Sequence, residues 1–284
     1  MSAPSDPPPS SSEHLPDAPP PMSIAAALGW VIGVTVALHL INSLAMLARP
    51  GSDHDLVRFA ACQAIAYLLG LFAILRVHAP EASIRDFLAL RRTHVALYPL
   101  GLLLGASLWL PAEVLLERIE KRWPLPAGTF TEELFASSSP RRVAMLLVVI
   151  AVGPLVEEIL FRGALFRALG RLYPRGVVIG VTAALFALVH QAPQVMVPIG
   201  LMAVALGYLR HKSGSLVPGV LAHAAFNGVT CALLLWRGPG APDPQIPGAV
   251  VITSTVIAAL LLVLIRVVGA RSMTALTAQE LDQR

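Results

Sequence analysis

The sequence is poor in charge. Asp, Glu, Lys and Arg make up 13% of its 284 residues, about half the share that soluble globular domains carry. With a 56% hydrophobic content and a mean hydropathy of +0.70, this excludes an ordinary water-soluble domain. Cysteine is scarce as well: Cys62 and Cys231 lie far apart in apolar segments, with no CxxC spacing to suggest a metal or redox pair, and both read as packing residues. Residues 1–22 have no aromatic, no Lys or Arg and no apolar core. Those absences argue against a secretory signal peptide and predict a disordered Pro/Ser-rich tail. The net charge of +4 is spread over loops instead of gathered with aromatics, so no nucleic-acid partner is indicated. There is no HExxH helix, no GxSxG elbow and no internal repeat of the kind transporters carry.

What is present is a series of apolar runs, at about 24–48, 56–77, 94–117, 143–170, 176–191, 195–210, 216–236 and 248–268. Helices of roughly 20 residues cross about 30 Å of hydrocarbon. The runs predict an all-α polytopic membrane helix bundle of about eight transmembrane helices, one domain over 24–270 with a short tail at 271–284. Pro111 interrupts the third run, and the linker 124–142 carries no readable signal. An even number of passes puts both termini on one side. Thirteen of the 21 Lys and Arg fall on that side, so the positive-inside rule places the termini in the cytoplasm. The Ala- and Arg-rich usage and short loops point to a bacterial inner membrane. Gly29/Gly33 and Gly101/Gly105, at four-residue spacing, read as close helix contacts.

Six polar residues interrupt the fourth to seventh runs: Glu157, Glu158, Arg162, His190, His223 and Asn227. A charge at the bilayer centre costs about 2.5–3.5 kcal/mol on insertion scales, so such groups face a partner or a wet cavity. Glu158 and Arg162, four apart in acid-before-base order, share a helix face and form a supporting ion pair, while Glu157 is rotated about 100° away. That leaves Glu157 without a partner on its own helix and free to act as a base. Pro154, three residues upstream, is a candidate kink. If the fourth and fifth runs form a hairpin around LYPRG, His190 lies within about a turn of the depth of Glu157. The next hairpin, around HKSGS, brings His223 and, one turn on, Asn227 towards the same level. Both hairpins turn on the side of the termini, so substrates are expected to enter from there or from the inner leaflet.

A carboxylate, two imidazoles and an amide suit peptide hydrolysis: a base deprotonates water and donors stabilise the oxyanion. Glu157, His190 and His223 are alternatively a ligand set for a divalent metal such as zinc. The residues leave both routes open. EEILFR at 157–162, FALVH at 186–190 and HAAFN at 223–227 resemble, in order, the EExxxR, FxxxH and HxxxN signatures of the CPBP family of intramembrane proteases. That family includes CAAX prenyl endopeptidases of the Ras-converting type and bacterial Abi-related proteins. The resemblance covers about residues 143–236. It implies that Glu157 and His190 activate the water, that His223 and Asn227 stabilise the oxyanion, and that Glu158, Arg162 and Phe186 support the site. It also implies a metalloprotease label whose metal is disputed within the family. The partners it implies are the lipid bilayer and a peptide or membrane-protein substrate, and nothing here resembles a prenyl-binding signature. The competing reading is a non-enzymatic membrane immunity or scaffolding protein that keeps the polar cluster as a structural network.

Overall fold

The computed structural model describes residues 19–48, 55–124, 130–239 and 245–282, with side chains as far as 270. Among them are ten helices and no strand: α1 Ile24–Ala48, α2 Leu56–His78, α3 Ile84–Phe87, α4 Leu97–Glu120, α5 Phe130–Ala136, α6 Ser139–Leu169, α7 Arg175–Leu188, α8 Pro193–Ser213, α9 Val217–Arg237 and α10 Gly248–Asp282. Seven of these are long and apolar enough to cross a membrane. The chain is an integral membrane protein with the expected all-α bundle. The fifth run is the exception in length, because α7 has 14 residues and spans only about 21 Å. The sequence Gln191–Ala192–Pro193 ends it: Gln191 adopts a positive φ of 54°, and Pro193 opens α8.

Local chemistry sets the helix ends. Asp55 caps α2 by accepting from the Arg58 amide at 3.0 Å, satisfying a donor that no helical carbonyl can reach. Gly214, with φ +64°, closes α8 in the left-handed conformation that favours glycine. α4 runs through Pro111 without a break, so the expected interruption there does not divide the helix.

One end of the bundle gathers most of the short connections. The amide of Ile24 donates to Tyr173 Oη at 3.3 Å, Arg171 donates to the His78 carbonyl at 2.7 Å, and Thr93 donates to the Ser213 carbonyl at 2.7 Å. Gly269 lies against Lys212. The starts of α1, α4, α7 and α9 therefore share an end with the finishes of α2, α6 and α8 and with Gly269 of α10, as an even number of passes requires. Pro20, at the edge of the expected tail, accepts from His78 Nδ1 at 2.7 Å, and Met22 is fully buried. Residues 19–22 thus belong to the folded bundle, and the rest of the expected tail lies outside the described residues. At the other end of the chain, helical backbone continues to Asp282, where a tail from 271 was expected. Within the linker, α5 occupies Phe130–Ala136.

Two glycines bring α4 and α9 together. A Cβ on Gly105 would collide with the Ala222 carbonyl oxygen, and one on Gly101 would come within 2.6 Å of the Pro218 oxygen. Gly29 and Gly33 have nothing within 4 Å of that position, so the four-residue spacing marks a close contact in α4 and not in α1.

Candidate active site

α6 presents the EE pair from an irregular helix. Val148–Val152 is π-helical, Gly153–Glu158 is α-helical, and Ile159–Leu165 is π-helical again. Pro154 has no N–H to give to the ladder, and the widened turn before it accommodates that loss without breaking the helix. The expected kink at Pro154 is in this way a π-helical turn. Each π turn also shifts the angular position of the residues beyond it, so the pair is set at an angle that a regular helix would not give.

Glu158 and Arg162 form the expected ion pair, 2.8 Å apart, with both side chains fully buried. Arg162 Nη2 donates to the Ala203 carbonyl at 2.9 Å, and its guanidinium lies 4.5 Å from the centroid of the Phe186 ring. Phe186 is fully buried and meets His190 and His223 at centroid distances of 4.9 and 5.6 Å. It forms the floor that levels the three motifs.

His223 stands between the two glutamates. Its Nδ1 is 3.2 Å from Glu158 Oε1 and its Nε2 is 3.7 Å from Glu157 Oε2. Gln63 of α2 reaches the other oxygen, with Nε2 donating to Glu157 Oε1 at 3.0 Å. Glu157 therefore has partners from two other helices, where the spacing on its own helix offered none. Gln63 is neutral, so this contact is a hydrogen bond and not an ion pair. The Glu157 side chain is 14% exposed and that of Glu158 is fully buried, so the two carboxylates are unequal in access to water.

Glu157, His190 and Asn227 line one cavity of about 540 Å³, together with Gln63, Tyr67 and His39. His223 lies behind Glu157 instead of on the cavity wall. His190 comes just after the end of α7, and its Nδ1 donates to the Phe186 carbonyl at 2.8 Å. A carbonyl can only accept, so in the neutral ring Nε2 carries the lone pair. Asn227 Nδ2 donates to the Val149 carbonyl, inside the first π stretch, at 2.8 Å. The cavity lining includes Leu56, the first residue of α2, which lies at the end of the bundle opposite the hairpin turns. The cavity therefore lies toward the end of the bundle away from the hairpin turns, from which entry was expected.

Gln63 lies outside the fourth to seventh runs, where the sequence concentrates its polar residues, and was missed; a glutamine inside the apolar second run is the signal that could have found it. Among the described residues no group of three His, Cys, Asp or Glu side chains could hold a metal ion. Of the candidate ligands Glu157, His190 and His223, the last does not fit, because it faces a carboxylate with each ring nitrogen, and Glu157 and His190 alone are two.

Comparison with curated proteins and with solved structures gave no match. Over residues 139–229, the stretch that contains EEILFR, FALVH and HAAFN, the chain matches the family model described as Type II CAAX prenyl endopeptidase Rce1-like, in agreement with the resemblance to the CPBP proteases.

Proposed function

We propose that the chain is an intramembrane endopeptidase in which Glu157 and His190 activate a water molecule for attack on a peptide carbonyl. The observation that carries this reading is one cavity lined by a carboxylate, an imidazole and an amide from α6, the end of α7, and α9. Glu157 removes a proton from the water, His190 Nε2 orients it, and hydroxide adds to the carbonyl carbon. The same proton then passes to the leaving amine as the C–N bond breaks. Asn227 has two amide hydrogens. One is held by Val149, which fixes the side chain and leaves the other for the oxyanion. His223 Nε2 faces Glu157 Oε2 across 3.7 Å, so the imidazole backs the carboxylate from the side away from the cavity. His223, behind Glu157, supports the oxyanion side of the site together with Asn227. Glu158, Arg162 and Phe186 hold this arrangement from below, and Gln63 is a positioning residue for Glu157.

No step is routed through a metal: among the described residues no group of three His, Cys, Asp or Glu side chains could hold one. The substrate class is a peptide or membrane-protein segment, in keeping with the family match. With the termini in the cytoplasm of a bacterial inner membrane, as the charge distribution argues, the cavity opens toward the outer side.

The test is Glu157→Gln in proteoliposomes with two quenched-fluorescent peptides, one ending in a farnesylated Cys-a-a-X sequence and one unprenylated. At least one peptide is cleaved by the unmodified protein, and the substitution lowers kcat by about a hundredfold or more. A folded Glu157→Gln protein that cleaves at the original rate overturns the reading. If Glu157→Ala also complements a deletion strain fully, the non-enzymatic immunity or scaffolding role takes its place.

A further inference from the structure

A second cavity, of about 480 Å³, lies at the hairpin end of the bundle, away from Glu157. His78, Glu81, Phe87, Arg167, Arg171 and Arg175 line it together with Pro19. The proposed hydrolysis uses none of them. The elements around it place it at the membrane surface: α2 finishes at His78, α6 at Leu169, α7 starts at Arg175, and α1 begins within a few residues of Pro19. Four ends of apolar helices meeting at one point mark the depth at which lipid headgroups lie.

The charge there is one-sided. Three arginines face one glutamate, and among the described residues no ion pair within 4.0 Å joins Glu81 to any of them. Arg171 is already oriented: Nη1 donates to the His78 carbonyl at 2.7 Å and Nη2 to the Pro19 carbonyl at 3.4 Å. Both acceptors are neutral, so the geometry is fixed while the charge is kept. His78 is itself held by Trp30 Nε1 at 3.0 Å and by Pro20. Arg167 and Arg175 are exposed into the same space.

We infer that this cavity binds the phosphate headgroup of an anionic phospholipid, held by Arg167, Arg171 and Arg175. Guanidinium groups match phosphate oxygens in geometry as well as charge, and basic pockets between helices at the membrane surface suit such headgroups. Phe87 and the alanines of the lining supply an apolar side toward which the acyl chains leave. A soluble phosphate or a peptide carboxylate has the charge but no reason to prefer the membrane surface.

The experiment uses the full chain in a neutral detergent, titrated with phosphatidylglycerol, phosphatidylcholine or sodium phosphate. Binding is read as lipid adducts by native mass spectrometry and as a shift in the unfolding midpoint. Phosphatidylglycerol binds on the order of tenfold more tightly than phosphatidylcholine, and Arg167→Gln with Arg175→Gln removes about that factor. Arg85→Gln with Arg92→Gln, an equal loss of exposed charge outside the cavity lining, changes it less than twofold. The inference fails if the cavity pair binds phosphatidylglycerol as the unmodified protein does, or if the control pair weakens binding equally. It also fails if sodium phosphate, or a short peptide with a free carboxylate, occupies the site as well as the lipid does.

Discussion

Gln63, on the second helix, donates a hydrogen bond to Glu157, 94 residues further along the chain, at 3.0 Å. This contact fixes one oxygen of the carboxylate, so that the other is left to face His223. Replacing Gln63 with methionine keeps the length and removes the donor. We expect kcat on the cleaved peptide to fall about tenfold with KM within twofold, since the lost interaction orients the base and does not hold the substrate. Gln63→Asn recovers part of the rate. A Gln63→Met protein with unchanged kcat means that Glu157 needs no such support.

The buried pair gives a stability prediction. Removing Arg162 leaves the fully buried Glu158 without its guanidinium partner, a change that costs about 3–5 kcal/mol when such a pair is broken. Arg162→Met should lower the unfolding midpoint in detergent by many degrees, whereas Lys121→Met, at the exposed pair with Glu117, should leave it nearly unchanged. Equal midpoints for the two variants contradict the weight given to burial.

Gly105 controls where α9 lies. A methyl group there meets the Ala222 carbonyl, one residue before His223, so backbone must move and overpacking of about 1–3 kcal/mol is expected. Gly105→Ala should lose both stability and cleavage, and Gly29→Ala, with open space around it, should lose neither. The two variants are compared by unfolding midpoint and initial rate.

Chelation tests the water-only route. Exhaustive treatment with EDTA and phenanthroline should leave the cleavage rate within twofold, and elemental analysis of the active protein should find less than stoichiometric metal. Activity that disappears and returns with added zinc overturns this expectation.

Sidedness rests on the fold and the charge count together. Gln191 lines the Glu157 cavity and Arg92 lies at the hairpin end, next to Thr93 and its bond to Ser213. In intact cells a membrane-impermeant maleimide should label a Gln191→Cys protein and spare an Arg92→Cys protein, with Cys62 and Cys231 replaced by serine. The opposite pattern places the termini outside.

Much of the site was legible along the chain because a buried charge needs a reason to be there. The six polar residues of the fourth to seventh runs were visible as violations of an apolar pattern, and the i, i+4 rule alone paired Glu158 with Arg162, as the 2.8 Å contact bears out. Hairpin arithmetic brought His190 toward the depth of Glu157 because rise per residue is nearly constant in helices. The same arithmetic treated 176–191 as a full span. α7 stops at Leu188, since the Gln191–Pro193 turn was not weighed as a helix end.

The sequence by itself determined the class of molecule, the set of polar residues and the non-equivalence of the two glutamates, because hydropathy and helical periodicity are local properties. Tertiary structure alone decided which groups meet. Gln63 became the partner of Glu157, His223 came to stand between the glutamates, and one glycine pair of two became a helix contact. It also decided which end of the bundle holds the Glu157 cavity and which holds the arginines. These outcomes depend on helix rotation and crossing, which the π-helical turns of α6 and the close approach of α4 to α9 set, and no spacing along one strand of sequence encodes them.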